Sequence, residues 1–215
     1  MTTSPERFTS TAYRSSIPNQ IGFELKSWVG RKLFRAPAPR APFLHVGCGS
    51  NILEGFENVD FFRFRHRPKH FVGLDLRYPL PFPTECFSGA FSEHTLEHLY
   101  PDDACRLLSE LHRVLKPNSV FRCSVPSLAL YVTFYAGGAA STGFDIFKNG
   151  CEAMWNLTQN WGHLSVWDAN MLRECLLIAG FQQVSERQFR EGANPHLLLD
   201  MPARQWESLY IEAVR

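Results

Sequence analysis

The stretch Phe43-Leu44-His45-Val46-Gly47-Cys48-Gly49-Ser50-Asn51 decides the fold. A short apolar run ends there on two glycines separated by a single side chain. A strand that stops on glycines exposes bare backbone, able to take positive φ and to approach a ligand closely. Outward from this point, strand-like runs recur at 57–61, 70–74, 88–92, 119–125, 181–188 and 207–214. Helical patterns lie between them. Residues 102–115 put Ala104, Leu107, Leu108, Leu111, Val114 and Leu115 on one face, with Asp102 as the expected N-cap. That helix must stop before Lys116-Pro117-Asn118. A second is expected from Asp168, its cap, to about Ala179, closed by Gly180. The alternation predicts an α/β, doubly wound, mostly parallel seven-stranded sheet with helices on both faces.

Composition narrows the function classes. The 215 residues are 45% hydrophobic, enough for one domain with a substantial core. With 22 Lys+Arg against 21 Asp+Glu, the net charge of +1 lacks the basic excess of a dedicated nucleic-acid binder. Cysteines 48, 86, 105, 123, 151 and 175 form no CxxC pair, so neither a zinc ribbon nor a disulfide scaffold is indicated, and thiols in a reducing cytoplasm are expected. The polar start MTTSPERFTSTAYRSS has no signal-peptide core, so a cytoplasmic location is expected. The apolar-looking run 128–140 is too short to span a bilayer. Asn156-Leu157-Thr158 is read as a chance match to a glycosylation acceptor.

Three regions are expected. Residues 1–42 form an arm, with little periodicity over 1–20, an amphipathic helix over 21–33 and a Pro/Ala linker up to Pro42. In that helix Ile21, Leu25, Trp28, Val29 and Leu33 make the apolar face, expected to pack on the main fold or over its site. Residues 43–215 form the main domain. Within it, 127–167 is too long for an ordinary strand-to-helix loop and is rich in aromatics, which predicts an insertion covering a substrate pocket.

Two carboxylates sharpen the reading of the glycine turn. Asn58-Val59-Asp60 ends the second strand with a group able to accept from both hydroxyls of a ribose. Gly73-Leu74-Asp75-Leu76 ends the third with one able to accept from an adenine amino group. The third glycine of a dinucleotide fingerprint is replaced by Ile52, which disfavours NAD and FAD. Then follow Cys86-Phe-Ser-Gly-Ala-Phe-Ser-Glu-His-Thr-Leu-Glu-His-Leu99, Arg113-Val-Leu-Lys-Pro117 and Phe121-Arg-Cys-Ser-Val-Pro126. In this order the set resembles the class I S-adenosylmethionine-dependent methyltransferases, and most of all the small bacterial type with the pattern LHxGCG…NVD…DL…PLPF…EHxLEHL…VLKPGG…VP. The resemblance is good over 43–126 and loose beyond. It departs at Asn118-Ser119, where the pattern has two glycines, and at Phe87-Ser88, where it has Phe-Asp.

The resemblance implies S-adenosylmethionine as cofactor. By position, Gly47, Cys48 and Gly49 contact its methionine part, Asp60 its ribose, and Asp75 with Leu76 its adenine; Ser92, Glu93 and His94, just past the fourth strand, face it from the other side. The implied acceptor is a small molecule or glycan, methylated at O or N. A hydroxyl acceptor needs a base, for which His163 and His94 are the candidates.

Three other readings compete with this one. His94-Thr95-Leu96-Glu97-His98 matches the H-x-x-E-H signature of a zinc metalloprotease, with His94 and His98 sharing a helix face. That reading leaves the glycine turn and both strand-end aspartates unexplained, so no metal site is expected there. The cluster 62–70 carries Arg63, Arg65, Arg67 and Lys69 beside Phe62 and Phe64, which would suit an RNA methyltransferase; near-neutral overall charge favours a solvated loop. A non-catalytic scaffold is disfavoured by the intact glycine and aspartate set.

Overall fold

The computed structural model describes residues 17–33, 38–62 and 70–215. The basic run 63–69, the first 16 residues and positions 34–37 of the linker lie outside the described residues. The run before the glycines is β1 (Phe43–Val46), ending where predicted, with Gly47 and Gly49 at φ of 68° and 51°. It is followed by β2 (Phe56–Asp60), β3 (Phe71–Gly73), β4 (Phe87–Glu93), β5 (Leu115–Pro126), β6 (Gln182–Arg187) and β7 (Ser208–Val214). They form one seven-stranded sheet in the order β3-β2-β1-β4-β5-β7-β6. The first five strands run parallel, and β7 is antiparallel to both β5 and β6. Strand order reverses at β1, which lies between β2 and β4, and so opens a crevice at the carboxyl ends of those strands.

Two helices bury one face. α2 (Pro101–Val114) and α5 (Ala169–Ile178) contribute Leu107, Leu108, Leu111, Leu172 and Leu176 to a core continuous with Leu44, Val46, Ala90, Phe121 and Ile211 of the sheet. The expected cap of α2 is corrected: Tyr100 is the N-cap, Pro101 opens the helix, and Asp102 falls in its first turn. Proline is preorganised for that first position and needs no amide partner. Asp168 caps α5 as predicted, accepting from the Met171 amide at 2.8 Å, and Gly180 closes it at φ of 104°. β5 begins earlier than expected. Its pairing with β4 jumps from Leu115 to Val120, and Lys116, Pro117 and Asn118 fill the irregularity, with Asn118 at φ of 62°.

The arm helix, α1 (Ile17–Leu33), starts inside the region expected to lack periodicity, and it packs with the opposite face from that predicted. Ile21, Leu25, Trp28 and Leu33 are exposed, while Ser27 and Gly30 are buried. At Gly30 a Cβ would collide with the Phe62 ring, so only glycine permits this approach. Phe23 stacks on Phe61 with ring centroids 4.2 Å apart. Beside this stack, α1 is seated by polar contacts, Ser27 to Asp75 and Glu24 to Arg77.

The insertion folds on itself. α3 (Leu128–Tyr135) and α4 (Gly150–Gln159) enclose Tyr131, Phe144, Ala153 and Leu157, a core separate from that of the sheet. Its ends meet where Leu128 N–H donates to Trp167 O at 2.9 Å. Among the described residues no helix is long and apolar enough to cross a membrane, and none of the six cysteines is in a disulfide.

Candidate active site

The glycine turn is held by its neighbour strand. Gly47 and Cys48 amides both donate to Val59 O, at 2.9 and 3.1 Å, and the Gly49 amide donates to Asp60 Oδ2 at 2.6 Å. A Cβ at Gly47 would collide with the Thr95 side chain, whereas one at Gly49 would meet nothing within 4 Å among the described residues. The first glycine therefore serves packing. Asp60 also accepts the Phe61 amide at 2.6 Å. A carboxylate has about four lone-pair positions, so two remain for a ligand.

Asp75 is differently placed. It is buried, and its carboxylate accepts from Ser27 Oγ of α1 at 2.5 Å and from Arg77 Nη2 at 2.7 Å. Arg77 in turn reaches Glu24 of α1, with 2.5 Å between Nη1 and Oε1. Burial alone would raise the Asp75 pKa, but the hydrogen bonds from Arg77 and Ser27 outweigh it and hold the group below its ordinary value. Leu76 is half-buried against the main core.

Ser92 and Glu93 lie within β4 rather than past it. Ser92 Oγ is buried with no hydrogen-bond partner, and Glu93 Oε1 accepts the Met201 amide at 2.9 Å. His94 follows with φ of 48°, then a single 3-10 turn over Leu96–His98. His94 and His98 consequently do not share a helical face, and the arrangement that H-x-x-E-H requires is not formed. His94 Nε2 lies 2.7 Å from Ser208 Oγ, which itself donates to Arg204 O at 2.7 Å. The Ser208 proton is thus committed, and His94 Nε2 must be the donor. Its Nδ1 is left facing Glu97 Oε1 at 3.4 Å.

Glu97 is 1% exposed, and neither carboxylate oxygen has a hydrogen-bond partner among the described residues. Its backbone oxygen accepts the Leu164 and Ser165 amides at 2.7 and 3.1 Å, which pins the end of the insertion to the 3-10 turn. That junction brings His163 in. Trp161 and Gly162 take φ of 64° and 76°, turning the chain so that the His163 ring packs on His98 with centroids 5.0 Å apart. His163 Nδ1 donates to Leu157 O at 2.7 Å, which leaves Nε2 as an acceptor. Burial pushes Glu97 up to about 8 and His94 down to about 3, and lowers His98 and His163 as well. At neutral pH this corner is a set of uncharged, proton-exchanging groups.

Solved structures share the fold. A SAM-dependent methyltransferase from Archaeoglobus fulgidus is 18% identical, with a TM-score of 0.52 over 90% of this chain and 94% of that one. A possible histamine N-methyltransferase from Thermotoga maritima is 15% identical, with a TM-score of 0.51 over 92% and 93%. No curated protein matches the chain significantly. The profile of the methyltransferase domain family matches residues 55–123. Residues 55–123 thus carry the match to the methyltransferase domain family, on a fold shared with solved SAM-dependent methyltransferases. The matched span contains Asp60, Asp75 and the whole 92–98 segment, and begins beyond the glycine turn. The sequence reading takes Glu97 and His98 only as parts of the H-x-x-E-H pattern, with His98 paired to His94. The fold joins Glu97 to His163 across 66 positions of chain, for which no local spacing could stand as a signal.

Proposed function

We propose that the methyltransferase transfers a methyl group to the oxygen or nitrogen of a small-molecule or glycan acceptor seated against Glu97, His98 and His163. The observation that carries this reading is the buried, unpartnered Glu97 carboxylate beside two neutral imidazoles at the carboxyl end of β4. Such a corner suits a neutral hydroxyl or amine better than a phosphate chain. The insertion adds Trp155 and Trp161, both exposed, as apolar surface for a sugar or a ring.

In this reading Gly47, Cys48 and Gly49 border the methionine part of the cofactor and Asp60 holds the ribose, while Ser92 and Glu93 line the floor of the pocket. Asp75 acts by anchoring α1 through Ser27, so that Leu76 and the helix wall the adenine. Loss of the acceptor's proton depends on His163 through its open Nε2; His94, held through Nε2 by Ser208, stands beside Glu97. The sulfonium methyl is already activated, and the remaining task is alignment and exclusion of water.

The test is transfer of label from methyl-labelled S-adenosylmethionine to a panel of sugars, hydroxylated small molecules, amines and RNA. Label should appear in a small molecule or glycan. Label in RNA alone would overturn the acceptor class. The ribose assignment has its own check: Asp60→Ala should weaken S-adenosylhomocysteine binding by about 1.5–3 kcal/mol in calorimetry. Equal affinity would move the ribose elsewhere.

A further inference from the structure

One ligand atom each from Glu97, His98 and His163 lies within 4.8 Å of the other two. From this convergence we propose that the three side chains bind one divalent transition-metal ion, with zinc the best match. Two imidazoles and a carboxylate are a borderline nitrogen and oxygen set that suits zinc and leaves a fourth position open. A tetrahedral site with bonds of about 2.0–2.1 Å puts its donors roughly 3.4 Å apart. Small side-chain rotations close the present separation to that value.

Two independent observations point to a missing cation. Glu97 is buried with both carboxylate oxygens unpartnered, and a buried carboxylate without a partner is otherwise costly. Each imidazole is also steadied from behind by a backbone carbonyl: His163 Nδ1 donates to Leu157 O, and the His98 ring donates to Gly162 O. Metal-bound histidines have this second attachment, which fixes the tautomer and aims the free nitrogen at the ion. His98 is exposed on its outer side and supplies an entry path.

The ligand set differs from the one the pentapeptide suggested. His94 is committed to Ser208, and the third donor comes from the insertion. The proposal thus departs from the expectation of no metal site at this segment, and its site would be completed only on folding.

The inference deepens the methyltransferase reading and, for its chemical consequence, rests on it. An acceptor hydroxyl in the open position would lose its proton to solvent water at lower pH. The oxygen's electron pair would then attack the methyl carbon as the carbon–sulfur pair returns to sulfur, giving S-adenosylhomocysteine. His163 then acts as a ligand, and the dependence on it runs through the ion.

The experiment needs neither donor nor acceptor. Chelator-stripped, reduced protein is titrated with zinc, and separately with cobalt(II). One zinc per chain is expected, with affinity lowered about tenfold or more in Glu97→Gln, His98→Ala and His163→Ala, each confirmed as folded by circular dichroism. The cobalt form should lack thiolate charge transfer. A folded wild-type chain that takes up no zinc overturns the inference, as does a thiolate band placing the metal on cysteine. Full affinity in His163→Ala would overturn this ligand set. None of these outcomes touches cofactor binding, so failure here and failure of the methyltransferase reading are distinguishable.

Discussion

Asp200→Ala should lower the free energy of unfolding by about 3–5 kcal/mol in urea denaturation, the largest stability effect expected in this protein. Arg122 on β5 and Asp200 are both fully buried, joined by Nε to Oδ1 at 3.0 Å and Nη2 to Oδ2 at 2.6 Å. Asp200 also accepts the Arg190 amide at 2.8 Å. The guanidinium completes its donors with Gln188 O at 3.1 Å and Glu191 O at 2.8 Å, and lies 3.4 Å from Glu212 Oε1 of β7. Removing Asp200 strands a desolvated cation whose one remaining counter-charge, Glu212, lies at 3.4 Å, and leaves Nε without an acceptor. Replacing Arg122 and Asp200 together by Met and Leu should recover most of the loss, because the charge leaves with its counter-charge. A loss below about 1 kcal/mol in the single variant would show that water reaches the guanidinium and that the network is not closed.

The largest activity effect is expected at His163. With the acceptor known, His163→Ala should lower turnover by about 10²-fold or more, while calorimetry gives unchanged affinity for S-adenosylhomocysteine. The expectation follows from the ring's geometry: Nδ1 is tied to Leu157 O, which leaves Nε2 as the acceptor of a ring grouped with Glu97 and His98. Near-normal turnover would take His163 out of the reaction. Loss of cofactor affinity in step with turnover would instead mean that the ring only props the insertion.

Much of the fold was legible because its signals are local. β1 ends at Val46, where glycine permits the turn, and α5 begins at Asp168, whose side chain caps it. Asp60 was readable as a strand-end carboxylate beside that turn, and it is found there. What failed to show concerns encounters between distant segments. The periodicity of Ile21, Leu25 and Trp28 marks a face, yet nothing local says whether the chain covers it; Ser27 and Gly30 turned inward because Asp75 and Phe62 demand a hydroxyl and a bare backbone. α3 reads Leu-Ala-Leu-Tyr-Val-Thr-Phe-Tyr, apolar on every side, and so gave no helical stripe. The junction of Glu97 with 163–165 is made by the Glu97 backbone carbonyl, which carries no side-chain signature at all.

The route from β1 to β2 has a consequence for which ligands the turn can hold. Residues 47–55 contain no helix, so the crevice has no helix N-terminus behind Gly47 and Gly49. A dinucleotide fold places there the positive end of a macrodipole, equivalent to about half a charge, against a pyrophosphate. In this chain that half charge is missing, and the Asp60 carboxylate already occupies the Gly49 amide. A doubly anionic bridge would meet a negative wall. A sulfonium, carrying one positive charge, would meet no opposing dipole and a favourable carboxylate. The isoleucine at position 52 and the missing helix are two expressions of one electrostatic preference, in which phosphate is turned away before any specific contact to a cofactor is made.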